Sequence, residues 1–586
     1  MSYINPPRLH FSGRFFTDPS TVNNIPSNFE GPKNENNPGN WNWNPYGHHD
    51  FYFIGCTVTK VVYSDGSSCE DPEGDSIIGR TICSNLTPKD KKPSKAKIAD
   101  IDVNLQYLPS IFGLNIGLQE GEYDTLFNGQ FKYVALDDFW FREPSSGADN
   151  LGQDPTSVFY QSVLENVSWA DDVGESRFLN ELKASSAGKD LSTKFMLDGY
   201  VNKFEKGNPD FKTGQIVGTI GIHEEEEPQH FLSQRFLRFK VDPNVLNTPF
   251  ARLFHSTGLY FAPFSLDTGK KLLRLDLGNS LPRTQLGKAQ KNMGHIWLAV
   301  RKPDGSLEEL QGLDYLDGKY LINAHIFDIA LSEDHCKLIA ENPLCLVQNY
   351  TGKKGGGIPQ VYLEEDGQGR FARADSFIFR LNPGDVQPVK IRATQFGQPA
   401  AGVKLKLEFD WRKIENTGLN IDNLLIGSPE KTLQFPAEVT TDEDGWAKFN
   451  MTVNPEGPGA PRFDGAIDGQ LYTLTYTWEG VEFPDPHHYL TVRVFDKYDI
   501  PDKPTWDDAY PIFNYYAELF PAMKNLIDLS NEQDVTDHAG GIKYMLSADI
   551  NDSHYMPVTR DLSGDKRKLL LKYLDALPKP APKPKD

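Results

Sequence analysis

Between Val389 and Phe495 apolar and polar residues alternate strand after strand, and from Pro501 that alternation gives way to a helical period. The change of period narrows the architecture sharply, because period two buries one face of a strand and period 3.6 one stripe of a helix. In Val403-Lys-Leu-Lys-Leu-Glu-Phe409 every second side chain is apolar. Val403, Leu405, Leu407 and Phe409 are therefore expected inward, and Lys404, Lys406 and Glu408 outward. Val389–Ala393, Thr440–Val453, Leu471–Trp478 and Tyr489–Phe495 supply further strands, with a turn at Gly397-Gln-Pro399. Trp446 and Phe449 are expected in or beside the core. After Pro501, Tyr510, Phe513, Tyr516, Leu519 and Phe520 recur at spacings of three and four, with Pro504 and Pro511 marking the start, and Ser563 is placed to cap a last helix. The pattern predicts a two-sheet sandwich over 386–497 and a small helical cap over 498–576, then a Pro/Lys-rich tail over 577–586 with a linker's composition.

The 386–497 segment has the length and strand spacing of an immunoglobulin-like sandwich. Pro399-Ala-Ala-Gly-Val403 and Thr441-Asp442 with Gly445-Trp-Ala447 resemble bacterial Ig-like repeats, with Ala400 a departure from their pattern. Such modules serve as spacers or platforms.

Residues 1–385 read as a large β-rich region, a sandwich or barrel, with two subdomains meeting near 185–250. Leu9–Phe16, Phe51–Tyr63, Gly214–Ile222, Lys271–Leu277, His295–Val300 and Asp375–Leu381 are its strand candidates, and Val158–Val167, Ser176–Lys183 and Ala330–Glu341 its expected short helices. The predicted fold is thus mainly β: a large β-sandwich or barrel region, an Ig-like β-sandwich and a small C-terminal helical cap.

Charge and cysteine usage exclude several functions. A net charge of −21 gives no positive footprint for nucleic acid. No run of about 18 apolar residues exists to span a bilayer. Five scattered cysteines without a Cys-x-x-Cys pair suit reduced thiols, and the N-terminus lacks a signal peptide's apolar core, so the expected location is cytoplasmic.

Two local clusters carry chemistry-bearing residues. Trp41, Trp43, Tyr46, His48, His49 and Asp50 fall within ten positions, and aromatic rings beside polar acceptors suit stacking on a sugar or an indole-like ligand. The plainer reading is a loop whose aromatics cover a sheet edge. His223, Glu227 and His230 offer candidate metal ligands, with Glu227 and His230 at the Glu-x-x-His spacing of di-iron helices. Pro228 interrupts that motif and the segment follows a strand, so a solvated acidic loop is expected, with no metal and no cofactor. The chain has no Gly-x-Ser-x-Gly elbow, His-Glu-x-x-His, phosphate-binding loop or dinucleotide fingerprint.

Both ends carry longer motifs. Pro7-Arg-Leu-His-Phe-Ser-Gly13 with Thr21-Val-Asn23 opens the chain, and His554-Tyr-Met-Pro-Val-Thr-Arg-Asp-Leu-Ser563 with Leu571-Lys-Tyr-Leu574 closes it. His49-Asp-Phe51, Cys56-Thr-Val58 and Val62–Gly66 keep the spacing between them. These islands resemble the non-ferritin part of the iminophenyl-pyruvate dimer synthases of violacein-type indole biosynthesis. That family couples two amino-acid-derived imines oxidatively, and the resemblance places its iron site in a ferritin-like domain absent here. It implies a non-catalytic binding or scaffold protein of secondary metabolism, with a separate ferritin-like protein as partner. Arg560 and Lys566-Arg-Lys568 are expected at the edge of the docking face. The alternatives are a stand-alone enzyme acting on an indole- or sugar-like small molecule, and a carbohydrate-binding protein.

Overall fold

The structure is a computed structural model that describes residues 3–18, 47–86, 94–102, 109–135, 137–141, 155–201, 213–232, 235–238, 261–281, 294–350, 358–410, 427, 429–459, 468–480 and 489–578. Strand Arg8–Thr17 pairs antiparallel with Asp50–Val62 on one side and Thr213–Ile222 on the other. From there the sheet runs through Leu191–Val201, Pro155–Trp169, Thr125–Phe131 and Asn115–Gln119 to Ile82–Ser84. That last edge returns to the first strands. Thr57 bridges Thr81, and the Val58 N–H donates to the Arg80 carbonyl at 2.9 Å. The sheet thereby curls into a barrel, which removes exposed edges.

Aromatic residues fill this barrel, with the Phe195 ring 5.7 Å from Phe53, 5.6 Å from Phe131 and 5.5 Å from Tyr160. Gly218 permits the close approach of Phe11, because a Cβ there would run into the phenyl ring.

The expected helix at Val158–Val167 is instead the middle of strand Pro155–Trp169. Apart from Leu164, the apolar residues of Val158–Val167 are β-branched or aromatic, and the strand is paired on both sides, so a pleated strand buries them better than a helix would. The other two expected helices form with shifted ends. Ser176 caps helix Arg177–Ser185 by accepting from the Leu179 N–H, and Ser332 caps Glu333–Glu341 by accepting from His335.

Between Ile222 and Arg235 the chain passes to an eight-stranded antiparallel sheet that ends at Glu364. Buried polar contacts join it to the barrel. Asp276 accepts from Tyr3 at 2.8 Å and pairs with Lys194 at 2.5 Å, and Asp328 pairs with Arg8 at 2.5 Å.

The Ig-like sandwich follows. One sheet contains Arg370–Ala374, Val386–Gln395 and Trp446–Val453; the other contains Ile378–Leu381, Tyr489–Val494, Gln470–Trp478 and Lys404–Phe409. Two of these strands precede position 386. They join because Ile378–Leu381 runs parallel to Tyr489–Val494, and the Ala374 N–H donates to the Tyr476 hydroxyl at 2.7 Å. Leu405 and Leu407 are buried, Val403 and Phe409 half-buried, and Lys404, Lys406 and Glu408 exposed. Phe449 is half-buried against the core, whereas Trp446 departs from expectation: it shares the outer face with exposed Lys448 and Asn450, half-buried under the Arg392 guanidinium.

The cap is built from helices Trp506–Leu519, Glu532–Asp537, Ala539–Leu546 and Gly564–Ala576. Thr505 and Asp508 form a capping box at its start. Pro511 lies within the first helix and not at its boundary. Ser563 caps the last helix by accepting from the Lys566 N–H. Most of the apolar stripe read from the sequence packs inward, where Phe513, Tyr516 and Leu519 meet Leu569, Leu570 and Tyr573, but Tyr510 at its start is exposed.

Candidate functional site

The cap is tied to the barrel and to the sandwich by hydrogen bonds between backbone groups and asparagine side chains. The Gly113 N–H donates to Asn551 Oδ1 at 2.9 Å, and Asn551 Nδ2 donates to the Phe131 carbonyl at 3.2 Å. Gly564 N–H donates to Asn382 Oδ1 at 2.7 Å, which anchors the last helix to the sandwich. Arg560 is buried, stacked 4.5 Å over Phe112, and held by the Val558 and Asp552 carbonyls at 2.6 and 2.9 Å. Burial first, with neighbouring Arg380 and Arg567 adding like charge, lowers its pKa to about 9. Its expected place at an exposed docking edge is therefore corrected: Arg560 is a fastener inside the cap. Arg567 likewise turns inward to the Met556 carbonyl and the Tyr555 hydroxyl, whereas Lys566 pairs with Asp468 and Lys568 faces solvent.

Where the cap meets the loop before strand Asp50–Val62, the fold leaves a cavity of about 250 Å³. Its apolar walls include Phe513, Met523, Ile527, Met545, Leu546 and Met556, and its polar corner is Gly47, His48, His49 and Lys97. Few polar groups in an apolar concavity is the usual composition of a ligand site.

The polar corner is assembled by strand pairing. His49 adopts φ 56°, a left-handed conformation uncommon outside glycine. Its backbone N–H donates to the Asp18 carbonyl at 2.8 Å, and the His48 N–H donates to Asp18 Oδ2 at 3.2 Å. Asp50 pairs with Lys97 next door, so the Lys97 ammonium donates to Asp50 Oδ1 at 2.7 Å and to the His48 carbonyl at 3.1 Å. Lys95 reaches the other Asp50 oxygen at 2.9 Å. Partial burial alone would raise the Asp50 pKa, but the two lysines hold it below the usual carboxylate range.

His49 is buried, and that burial lowers its pKa to about 4; its bond to the Ile98 carbonyl opposes the shift, while Lys97 and Arg560 reinforce it. The ring is neutral at pH 7, its Nδ1–H donates to Ile98 at 2.7 Å, and its edge meets Phe520 at 5.5 Å. On the cap side, the Tyr516 hydroxyl donates to Asp561 Oδ1 at 3.0 Å, and burial followed by Asp561 pushes its pKa well up. No nucleophile–base pair lines the cavity among the described residues.

Of the six residues singled out around this loop, His48 and His49 line the cavity and Asp50 orients Lys97. Trp41, Trp43 and Tyr46 lie outside the described residues. Sequence reasoning missed Lys97 and the entire cap wall. One signal was available: three of the chain's seven methionines, Met523, Met545 and Met556, fall in the cap.

The His223–His230 segment is a loop between the barrel and the second sheet, so Glu227 and His230 do not share a helix face. Glu225 and Glu226 are exposed as expected of an acidic loop, but His223 and His230 are buried, which corrects the solvated reading. They are drawn in because Asp375 accepts the Gln229 and His230 N–H groups at 2.7 and 3.3 Å, and Ser162 Oγ meets His230 Nδ1 at 3.0 Å. Burial lowers the His223 pKa to about 4. Among the described residues, no three His, Cys, Asp or Glu side chains converge on a metal position.

No family model matches the chain, and no curated protein does. Among solved structures it is similar to domains 4 and 5 of the S-layer protein SbsC, at 13% identity over 38% of this chain and 82% of that one, with a TM-score of 0.13. The D0-D1 domain of intimin gives 8% identity over 39% and 90% of the two chains, with a TM-score of 0.15. Bacteroides thetaiotamicron EndoBT-3987 gives 12% identity over 22% of this chain at a TM-score of 0.17, and the match spans only 31% of that protein's length. Likenesses this distant carry no functional argument. The fold class rests on the strands themselves.

Among the described residues no helix is long and apolar enough to cross a membrane.

Proposed function

We propose that this chain is a non-catalytic binding protein whose small-molecule site is the cavity between the helical cap and the His48–His49 loop. The observation that carries it is that part-open, largely apolar cavity of about 250 Å³ with a lysine and two histidines gathered at one corner. A kinship with the non-ferritin part of iminophenyl-pyruvate dimer synthases belongs to the same proposal, on the strength of the terminal motifs, and so does a cytoplasmic location. All five cysteines are free thiols, which suits a reducing compartment.

The test is a thermal-shift screen of apolar alcohols, aromatic compounds and sugars against the chain and a Leu546→Trp variant that fills the cavity. A ligand at a hundredfold its dissociation constant adds about 2.7 kcal/mol of stability. Apolar compounds should raise the melting temperature of the chain and leave the folded variant unmoved. A shift produced by sugars alone, or one that Leu546→Trp leaves intact, would move the site elsewhere.

A second reading is favoured by two exposed residues of the cap, Leu526 at 72% and Tyr544 at 63% accessibility. Apolar groups so placed suit a protein partner, and a separately encoded ferritin-like protein is the partner this reading proposes. Co-purification of the two chains, with Leu526→Asp and Tyr544→Asp as controls, tests it. Equal recovery by the doubly substituted and unaltered chains would remove the cap from the interface.

A further inference from the structure

The polar corner of the cavity is built from hydrogen-bond donors. The Lys97 ammonium has three N–H groups, and among the described residues it meets two acceptors, Asp50 Oδ1 and the His48 carbonyl. Lys95 shares the same Asp50, so two ammonium groups lean on one carboxylate. The nearby carboxylate Asp18 is turned to the backbone, where Oδ2 accepts the His48 N–H. The His48 side chain is exposed at the rim. Behind the cap wall, Arg560 and Arg567 are held by carbonyls and the Tyr555 hydroxyl, all neutral acceptors.

The opposite wall asks for a different chemistry. Met523, Met545 and Met556 stand with Phe513, Ile527 and Leu546, an apolar surface whose unbranched thioethers re-pack around a flexible guest. A volume of about 250 Å³ has room for on the order of ten non-hydrogen atoms. A single half-buried lysine recognises one small anion, whereas phosphate sites gather arginine forks or successive backbone N–H groups.

Resting on the cavity as the binding site, we infer that its ligand is a small monocarboxylate with an apolar tail. The tail lies among the cap methionines, and the carboxylate takes the remaining Lys97 N–H with His48 beside it.

The experiment titrates the full chain calorimetrically with hexanoate, octanoate, decanoate and 3-phenylpropanoate, each beside its matching primary alcohol. At least one acid should bind about tenfold more tightly than its alcohol. In Lys97→Gln and Lys97→Met, each confirmed folded by near-ultraviolet circular dichroism, that ratio should fall to near unity. Leu546→Trp should weaken acid and alcohol together. Equal affinity of acids and alcohols in the unaltered chain would overturn the inference and leave the cavity as an unspecific apolar site. Acid preference that survives both Lys97 variants would also overturn it. Failure of every acid and every alcohol to bind would sink the cavity as a ligand site along with the inference.

Discussion

Leu405 and Lys404 are adjacent and face opposite ways, one buried and the other exposed. Leu405→Ala should therefore cost roughly 2–5 kcal/mol in denaturant titration, while Lys404→Ala should stay within about 0.5 kcal/mol. Equal small effects would reverse the assignment of faces. His49 makes a prediction in pH. Its folded pKa, about 4, lies below its ordinary value of 6.5, so between those values the unfolded chain binds the proton and the folded chain does not. Stability must then rise with pH across that window and fall as the solution is acidified through it. His49→Gln should flatten part of the slope of unfolding free energy against pH between 4 and 6.5; His223, also near 4, accounts for a further part. An unchanged slope would mean that His49 is not a buried neutral ring. The sequence placed His48, His49 and Asp50 together because they are consecutive. It gave no sign that the middle residue is buried while its neighbour stands at the rim, since that depends on a left-handed turn pinned by Asp18.

At the scale of elements, the terminal motif His554–Ser563 is a connector whose polar residues Thr559, Arg560, Asp561 and Ser563 face inward. Ser563 is fully buried and caps helix Gly564–Ala576. Ser563→Ala should cost about 1 kcal/mol, read as a lower melting temperature, and Ser563→Asp should keep most of the cap. If alanine and the unaltered chain melt together, the hydroxyl contributes no net capping. The sandwich strand Lys404–Phe409 was legible because its alternation is strict and one face meets water. Strand Pro155–Trp169 was not, because it is apolar on both faces for much of its length, and such runs do not distinguish strand from helix by period alone. The early start of the sandwich was hidden for another reason: Ile378–Leu381 finds its partner more than a hundred residues later, at Tyr489–Val494.

Across the whole molecule, the cavity brings positions 47–49 and 97 against a wall drawn from 513–570. No local motif could announce such a site, since it exists only when the cap docks on the barrel through Asn551, Gly113 and Asn382. The apolar stripe of the first cap helix was readable, but not that part of it would line a cavity instead of closing one. The most direct test of the account is hydrogen exchange followed by mass spectrometry, with and without saturating octanol or octanoate. Protection should appear in peptides covering 47–49, 97 and the cap between 513 and 570, and the sandwich strands should exchange as before. Protection confined to the sandwich or the second sheet, with the cap and the His48–His49 loop unchanged, would contradict it.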